Sequence, residues 1–461
     1  MFFSKDLYIQ GLKKIRTVGI GSAATVILLN IFYAYTRYEG RSHYYYEVDC
    51  GRIAPFAFLT ALFSIGLVSS MFSFLNKRRD SDFYHSIPQK RLCVYFSFIV
   101  AVITWIAGIN LLTIIINSFF IEACPGYHVP ILNSVLAFIG YTVSALVAAS
   151  VATVCRMLAG TGVAYFFYTA SFFIVPRILI LIFNSVLNEF NHSIILNDAS
   201  LGIFSNEYSL YFTFSEFGSG KPGNFANPLL LFSLFLESAI FFAIGARLYQ
   251  KRRSELAGQS KGSKKVHAFF RTLVVLPMLY VASVGIFINP AETYIWVMLG
   301  LSLLFHFLFE LIMSKNAKKA FTGMVTFIIP LIVSAGLVGY TLGVAEFFRE
   351  TNPEVDEISY ITIENRNGYH EGDIYIFMEK EYVTCFDFQF SSETAKETVT
   401  KALEATSKGT DGTALSYSYP DNSAIVKFSL KDGKEISRIV YFSNDEMELI
   451  LREVNNILKE R

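Results

Sequence analysis

The chain predicts an all-α polytopic membrane bundle of about nine transmembrane helices, followed by an α+β soluble domain. Three observations lead there. Only 17% of its 461 residues are charged, with 53% hydrophobic and a mean hydropathy of +0.43, whereas a soluble chain carries about a quarter charged residues. The missing charge is concentrated in long apolar runs, as spans of a bilayer require. Composition then changes near Glu346: residues 1–345 hold 26 Lys and Arg against 15 Asp and Glu, and residues 346–461 hold 13 against 23.

The elements follow in order. Residues 2–16 set Phe2, Phe3, Leu7, Leu12 and Ile15 against Lys5, Lys13 and Lys14, the pattern of an interfacial helix. No small-residue cleavage site follows, only bulky Phe32, Tyr33, Tyr35 and Tyr38, so residues 1–40 do not read as a cleaved signal peptide. The expected spans are Val18–Thr36, Ile53–Leu75, Leu92–Asn117, Ile131–Cys155, Gly162–Leu187, Asn227–Tyr249, Arg271–Asn289, Ala291–Met313 and Phe321–Ala345. The seventh has the weakest signal, being short and holding Pro277. Pro176, Pro277 and Pro330 are expected to kink their helices. Residues 1–250 form a six-span unit, residues 251–345 add three spans, and residues 346–461 form the soluble domain.

Basic residues orient the bundle. The loops on the side of the N-terminus hold 21 Lys and Arg, and the opposite loops hold 4. This asymmetry places the N-terminus in the cytoplasm. An odd number of spans then places residues 346–461 outside the cell, in a multi-pass plasma-membrane protein. The inner loop Gln250–Arg271 reads as a flexible basic connector on anionic lipid, and the outer loop 188–226 as a candidate lid. Cys50 and Cys124 fall in outer loops, which leaves a disulfide and two unpaired thiols both open.

The acidic segment patterns as a compact unit. Thr351–Glu354 reads as its linker. Ile358–Ile363 and Tyr382–Phe390 alternate as strands. Ser392 caps a helix carrying Lys396, Val399 and Leu403. Ala424–Leu430 and Ile436–Phe442 form a hairpin across Lys431-Asp432-Gly433. Ser443 or Asn444 opens a last helix with Met447, Ile450, Leu451, Val454 and Ile457 on its apolar face.

The most informative stretch is 76–91, which lies between the second and third spans and holds five basic residues. Asp80 or Ser81 caps a short helix there, Phe83 and Ile87 share a face at i, i+4, and Pro88 closes it. A small amphipathic helix on the cytoplasmic side is what a transporter needs to receive a push from a soluble partner. A solvated basic turn is the competing reading. The run Asp82, Phe83, Tyr84, His85, Ser86, Ile87, Pro88, followed by Lys90-Arg91 and a span, resembles the Tyr-x-Ser-Leu-Pro-x-x-Arg loop of ABC-2-type transporter permeases of Gram-positive bacteria. Ile87 stands where that family often has Leu, and Gln89 where a small or apolar residue is common. The resemblance implies that these seven residues couple the chain to a separate ABC ATPase subunit. It also implies a second permease subunit, as a homo- or heterodimer, and alternating access. The three extra spans and the acidic C-terminal segment depart from the family's usual six-span plan.

The chain carries no nucleotide-hydrolysing motif. Gly218-Ser219-Gly220-Lys221 departs from a P-loop because Ser215 takes the first Gly position, Pro222 replaces Ser or Thr, and the loop is on the outer side. No His-Glu-x-x-His, Gly-x-Ser-x-Gly or Cys-x-x-Cys is present. No cofactor, no metal and no nucleic-acid partner is expected; ATP is hydrolysed by the partner subunit. Two charges lie mid-span, Arg177 and Glu237. Each is about 15 Å deep, where charges are paired, wetted or functional. A structural pair and a substrate contact are both open for them. His306 and Glu310 sit one turn apart, with Glu310 expected to meet Lys315 or Lys318. The reading is the permease subunit of an ATP-driven exporter of amphiphiles. A membrane-anchored sensor or scaffold that captures ligands through its C-terminal ectodomain is the alternative.

Overall fold

The computed structural model describes residues 3–39, 46–47, 54–123, 127–128, 130–194, 228–258, 264–288, 290–314, 316–365, 374–378, 381–385, 388–390, 392–407, 423–443, 445–446, 448–450 and 452. Helices dominate: α1 (Lys5–Lys14), α2 (Arg16–Glu39), α3 (Ala54–Met71), α4 (Arg78–Ser86), α5 (Arg91–Glu122), α6 (Ile131–Leu158), α7 (Gly162–Phe190), α8 (Pro228–Lys251), α9 (Lys264–Ile288), α10 (Thr293–Ser314), α11 (Ala317–Gly323), α12 (Ile328–Glu350) and α13 (Glu393–Ser407).

Among the described residues, seven of them, α5 to α10 and the stretch ending in α12, are long and apolar enough to cross a membrane. The count of nine needs two further elements. The first is α2, whose part Arg16–Phe32 is bent by 55° from Lys5–Lys14 and counts with it as one broken span among the described residues. The second is Leu59–Met71, a shorter apolar helix. The bend fits the interfacial α1 expected from the sequence. The helix of the expected span Ile53–Leu75 ends at Met71, and the chain tightens into a 3-10 turn at Ser73–Asn76. The weakest expected span is a continuous helix through Pro277. Pro330 is the third residue of α12, where its missing N–H and fixed φ are tolerated. The irregularity lies instead in the 3-10 turn Met324–Phe327.

The chain divides into two compact units. The first comprises 1–177, 203–275 and 301–328, and its centre is α6. That helix runs Ser144-Ala145-Leu146-Val147-Ala148-Ala149-Ser150-Val151-Ala152, all of it buried. Small side chains let α3, α5 and α8 approach it closely, as helix packing in lipid requires. Gly245 of α8 illustrates this: a Cβ there would stand 2.7 Å from Tyr95 Oη, and that hydroxyl donates to Phe242 O at 2.8 Å.

The second unit comprises 178–202, 276–300 and 329–461. After the short parallel pair β1 (Tyr46–Glu47) and β2 (Tyr127–His128) of the first unit, it joins helix ends to β3 (Ile358–Asn365), β6 (Phe388–Phe390), β7 (Ser423–Leu430) and β8 (Glu435–Tyr441), a four-stranded antiparallel sheet of order β6-β3-β7-β8. A separate ribbon pairs β4 (Ile374–Met378) with β5 (Glu381–Cys385), so the expected strand Tyr382–Phe390 is two strands. The predicted hairpin is present, with Gly433 at φ +84 and Gly433 N–H donating to Leu430 O at 3.0 Å. Ser392 Oγ accepts from Ala395 N at the start of α13. Ser443 and Glu446 exchange capping-box bonds of 2.8 and 3.3 Å. Val399, Leu403, Val426, Phe428, Val440 and Ile450 fill the core between helix and sheet. Within this unit, Asn191 Nδ2 donates to Ala345 O at 3.1 Å and Ile439 N to Ser193 O at 2.9 Å. These two bonds tie the end of α7 to α12 and to the β8 edge. The pairing of Cys50 with Cys124, the loop 195–226, and the last helix beyond 452 lie outside the described residues.

Candidate functional site

Three helices, α3, α6 and α8, end close together at the basic end of the first unit. Each end leaves carbonyls unpaired. In each case an arginine from another part of the chain answers them. Arg156, in the last turn of α6, donates from Nε and Nη2 to Phe72 O, just past α3, at 3.1 and 3.0 Å. Arg252, just past α8, donates from Nη1 to Arg156 O and Met157 O, and from Nη2 to Ala159 O at 2.8 Å and Leu75 O at 3.3 Å. Arg91, at the start of α5, donates from Nη1 to Gln250 O at 3.0 Å and Arg252 O at 2.9 Å. The relay closes on itself, because residues 72–91 are the segment that carries α4.

A cation is favoured at a helix C-terminus, and the fork of a guanidinium serves several carbonyls at once. Arg252 is 3% exposed. Burial, and then the charge of Arg156, lower its pKa to about 10, so it stays a cation at neutral pH. Arg156 is fully buried and lies 5.2 Å from the Tyr165 ring centroid. The sequence counted both residues as ordinary cytoplasmic-side charges.

On this pedestal sits α4. Its first residue is Arg78 and its N-cap is Lys77, without a side-chain cap bond. The expected caps fall inside the helix: Asp80 lies in the first turn, where its charge suits the positive dipole end, and Ser81 is buried. Tyr84 packs inward, its ring 4.1 Å from Phe74 and 5.9 Å from Phe98. Lys14 Nζ of α1 lies 4.5 Å from the Phe74 centroid and 4.8 Å from that of Tyr84, a cation–π box. Ile87 has left the helix as an extended C-cap and packs half-buried on the main core. Phe83 and Ile87 therefore do not share a face. Phe83 points to solvent at 65% exposure, flanked by exposed Asp82, Ser86 and Pro88. His85 lies within α4.

Arg177 and Glu237 are both half-buried, and no hydrogen bond or ion pair joins them among the described residues. The buried ion cluster is elsewhere. Glu310 Oε2 lies 2.5 Å from His267 Nε2 and 3.1 Å from Arg271 Nη1, all three buried. Glu310 thus looks across to α9; of the two lysines expected to meet it, Lys318 is exposed and Lys315 lies outside the described residues. His306 Nε2 donates to Gly323 O at 3.3 Å. A Cβ on Gly323 would stand 2.9 Å from Glu310 Cγ, so only glycine lets α11 come this near the carboxylate. No group of three potential metal ligands occurs among the described residues.

Comparison with known protein families, with characterised proteins and with solved structures gives no match.

Proposed function

We propose that this chain is the membrane subunit of an ATP-driven exporter, seated in the plasma membrane with its basic end in the cytoplasm, and that α4 receives a separate ATPase subunit. The observation that carries the reading is Phe83. A large apolar side chain stands in solvent on a helix whose next residue, Tyr84, is pinned in an aromatic box. An exposed aromatic on a rigid support is the usual form of an interface anchor. The arginine relay gives the push a path: a displacement of α4 reaches the ends of α3, α6 and α8 through charged hydrogen bonds instead of being absorbed in loop motion. The chain lacks an ATP-hydrolysing motif of its own, so hydrolysis belongs to the partner, as the resemblance of residues 82–88 to ABC-2-type permeases implies.

The test is copurification. Phe83→Asp removes the anchor without touching the core, and is expected to lose the ATPase while leaving membrane insertion and yield unchanged. Tyr84→Asp is expected to lower yield itself, because it places a charge against Phe74 and Phe98. An ATPase retained at full occupancy by Phe83→Asp refutes the docking role.

A further inference from the structure

The last turn of α6 and the first turns of α9 form, with Phe172 of α7, an open cavity of about 250 Å³. Its walls are Val154 and Leu158 of α6, Phe172, and Val266 and Phe270 of α9. Phe270 is held in place by stacking on Tyr168, 4.1 Å away with the rings 12° apart, so the cavity cannot close by a turn of that ring. One charged side chain lines it, Lys265, exposed at the rim. Lys265 forms no ion pair among the described residues.

We infer that this cavity is a binding site for one anionic phospholipid of the cytoplasmic leaflet, with the end of an acyl chain between α6 and α9 and the phosphate on Lys265. The walls are apolar, which suits hydrocarbon. Its volume falls below the roughly 300–1,000 Å³ of sites that enclose a drug-sized ligand, which suits one end of a chain. The cavity lies at the basic end, where Arg247, Lys251, Arg253 and Lys265 are exposed. The inner leaflet supplies anionic headgroups, each nearby basic residue adding about fivefold to their binding. A zwitterionic lipid fills the same walls, but its choline cation offsets the phosphate that Lys265 would meet. The inference rests on the basic end facing the cytoplasm and not on the ATPase partner, so it can fail or hold independently of the exporter reading.

The experiment is native mass spectrometry of the purified full chain titrated with dioleoylphosphatidylglycerol or dioleoylphosphatidylcholine. The wild type is expected to retain one phosphatidylglycerol, bound about fivefold or more tightly than phosphatidylcholine. Lys265→Ala should weaken phosphatidylglycerol about fivefold and Lys265→Glu about thirtyfold, with phosphatidylcholine weakened less in each variant. Val154→Phe, which fills the cavity, should weaken both lipids. Because Lys265 is exposed, its variants test the site even where Val154→Phe fails to fold. Soluble glycerophosphoglycerol, which lacks the chains, should not displace the lipid. Equal retention of the two lipids, or an undiminished preference in Lys265→Glu, overturns the inference. Displacement by glycerophosphoglycerol at equal concentration overturns it too, by showing that the headgroup alone is bound.

Discussion

Replacing Arg252 with Met should loosen the basic end while leaving the rest of the chain folded. Met keeps a long apolar stem but removes every donor. Of the four carbonyls Arg252 meets, Met157 O and Ala159 O are close, and Arg156 O and Leu75 O are at 3.3 Å. Counting only the two close bonds at about 1.5–3 kcal/mol each for a charged donor gives a gross loss of about 3–6 kcal/mol. Part of this returns, because the variant no longer desolvates a guanidinium. A net local destabilisation of about 2–4 kcal/mol remains, which corresponds to about 30- to 1,000-fold faster amide exchange if opening is local. The assay is hydrogen exchange read by mass spectrometry on peptides covering 72–90 and 156–165. Arg253→Met is the control, since Arg253 is exposed and should change little. The relay is refuted if Arg252→Met and Arg253→Met exchange alike in those peptides, or if the faster exchange appears in 423–443 instead.

Other consequences follow from the same contacts. Glu310→Gln leaves Arg271 buried without its carboxylate and should destabilise by about 3–5 kcal/mol; adding Arg271→Met should recover much of that, in a thermal-shift double-mutant cycle that fails if the two effects simply add. Gly433→Ala forces a Cβ into the left-handed region at φ +84 and should cost about 1–2 kcal/mol, seen as faster exchange in 423–443 and not in α6. With the native cysteines removed, Ala405→Cys, exposed on α13, should react with a membrane-impermeant maleimide in intact cells; labelling only after lysis would place residues 346–461 in the cytoplasm and reverse the assigned topology.

The apolar helices were legible because hydropathy over a span-length window depends on composition alone. Seven of the nine expected spans recur among the described residues as helices long enough to cross. Where length was marginal, at Ile53–Leu75, composition could not register the tightening into a 3-10 turn after Met71. The hairpin at Asp432-Gly433 and the caps at Ser392 and Ser443 were equally readable, since their chemistry is local. The polar interior was not. Equal depth suggested Arg177 with Glu237, but depth does not fix which way a helix faces. Glu310 found its partners on α9, about 40 positions back. The i, i+4 spacing of His267 and Arg271 on an otherwise apolar helix was the available signal for that. Arg156 gave a fainter one: a lone arginine at the end of a span, followed by Ala159-Gly160-Thr161-Gly162, marks a helix end. Its acceptor, Phe72 O, is 84 residues away, and no periodicity reports that.

The most direct measurement of the docking role is site-specific photo-crosslinking from position 83. A photoreactive phenylalanine analogue replaces Phe83 in the full chain, in native cells, and irradiation is followed by identification of the adduct. The account predicts a crosslink to a soluble nucleotide-hydrolysing subunit from position 83, and none when the analogue stands at the inward-facing Tyr84. Adducts to lipid alone from position 83, or an ATPase adduct formed equally from position 84, would contradict it.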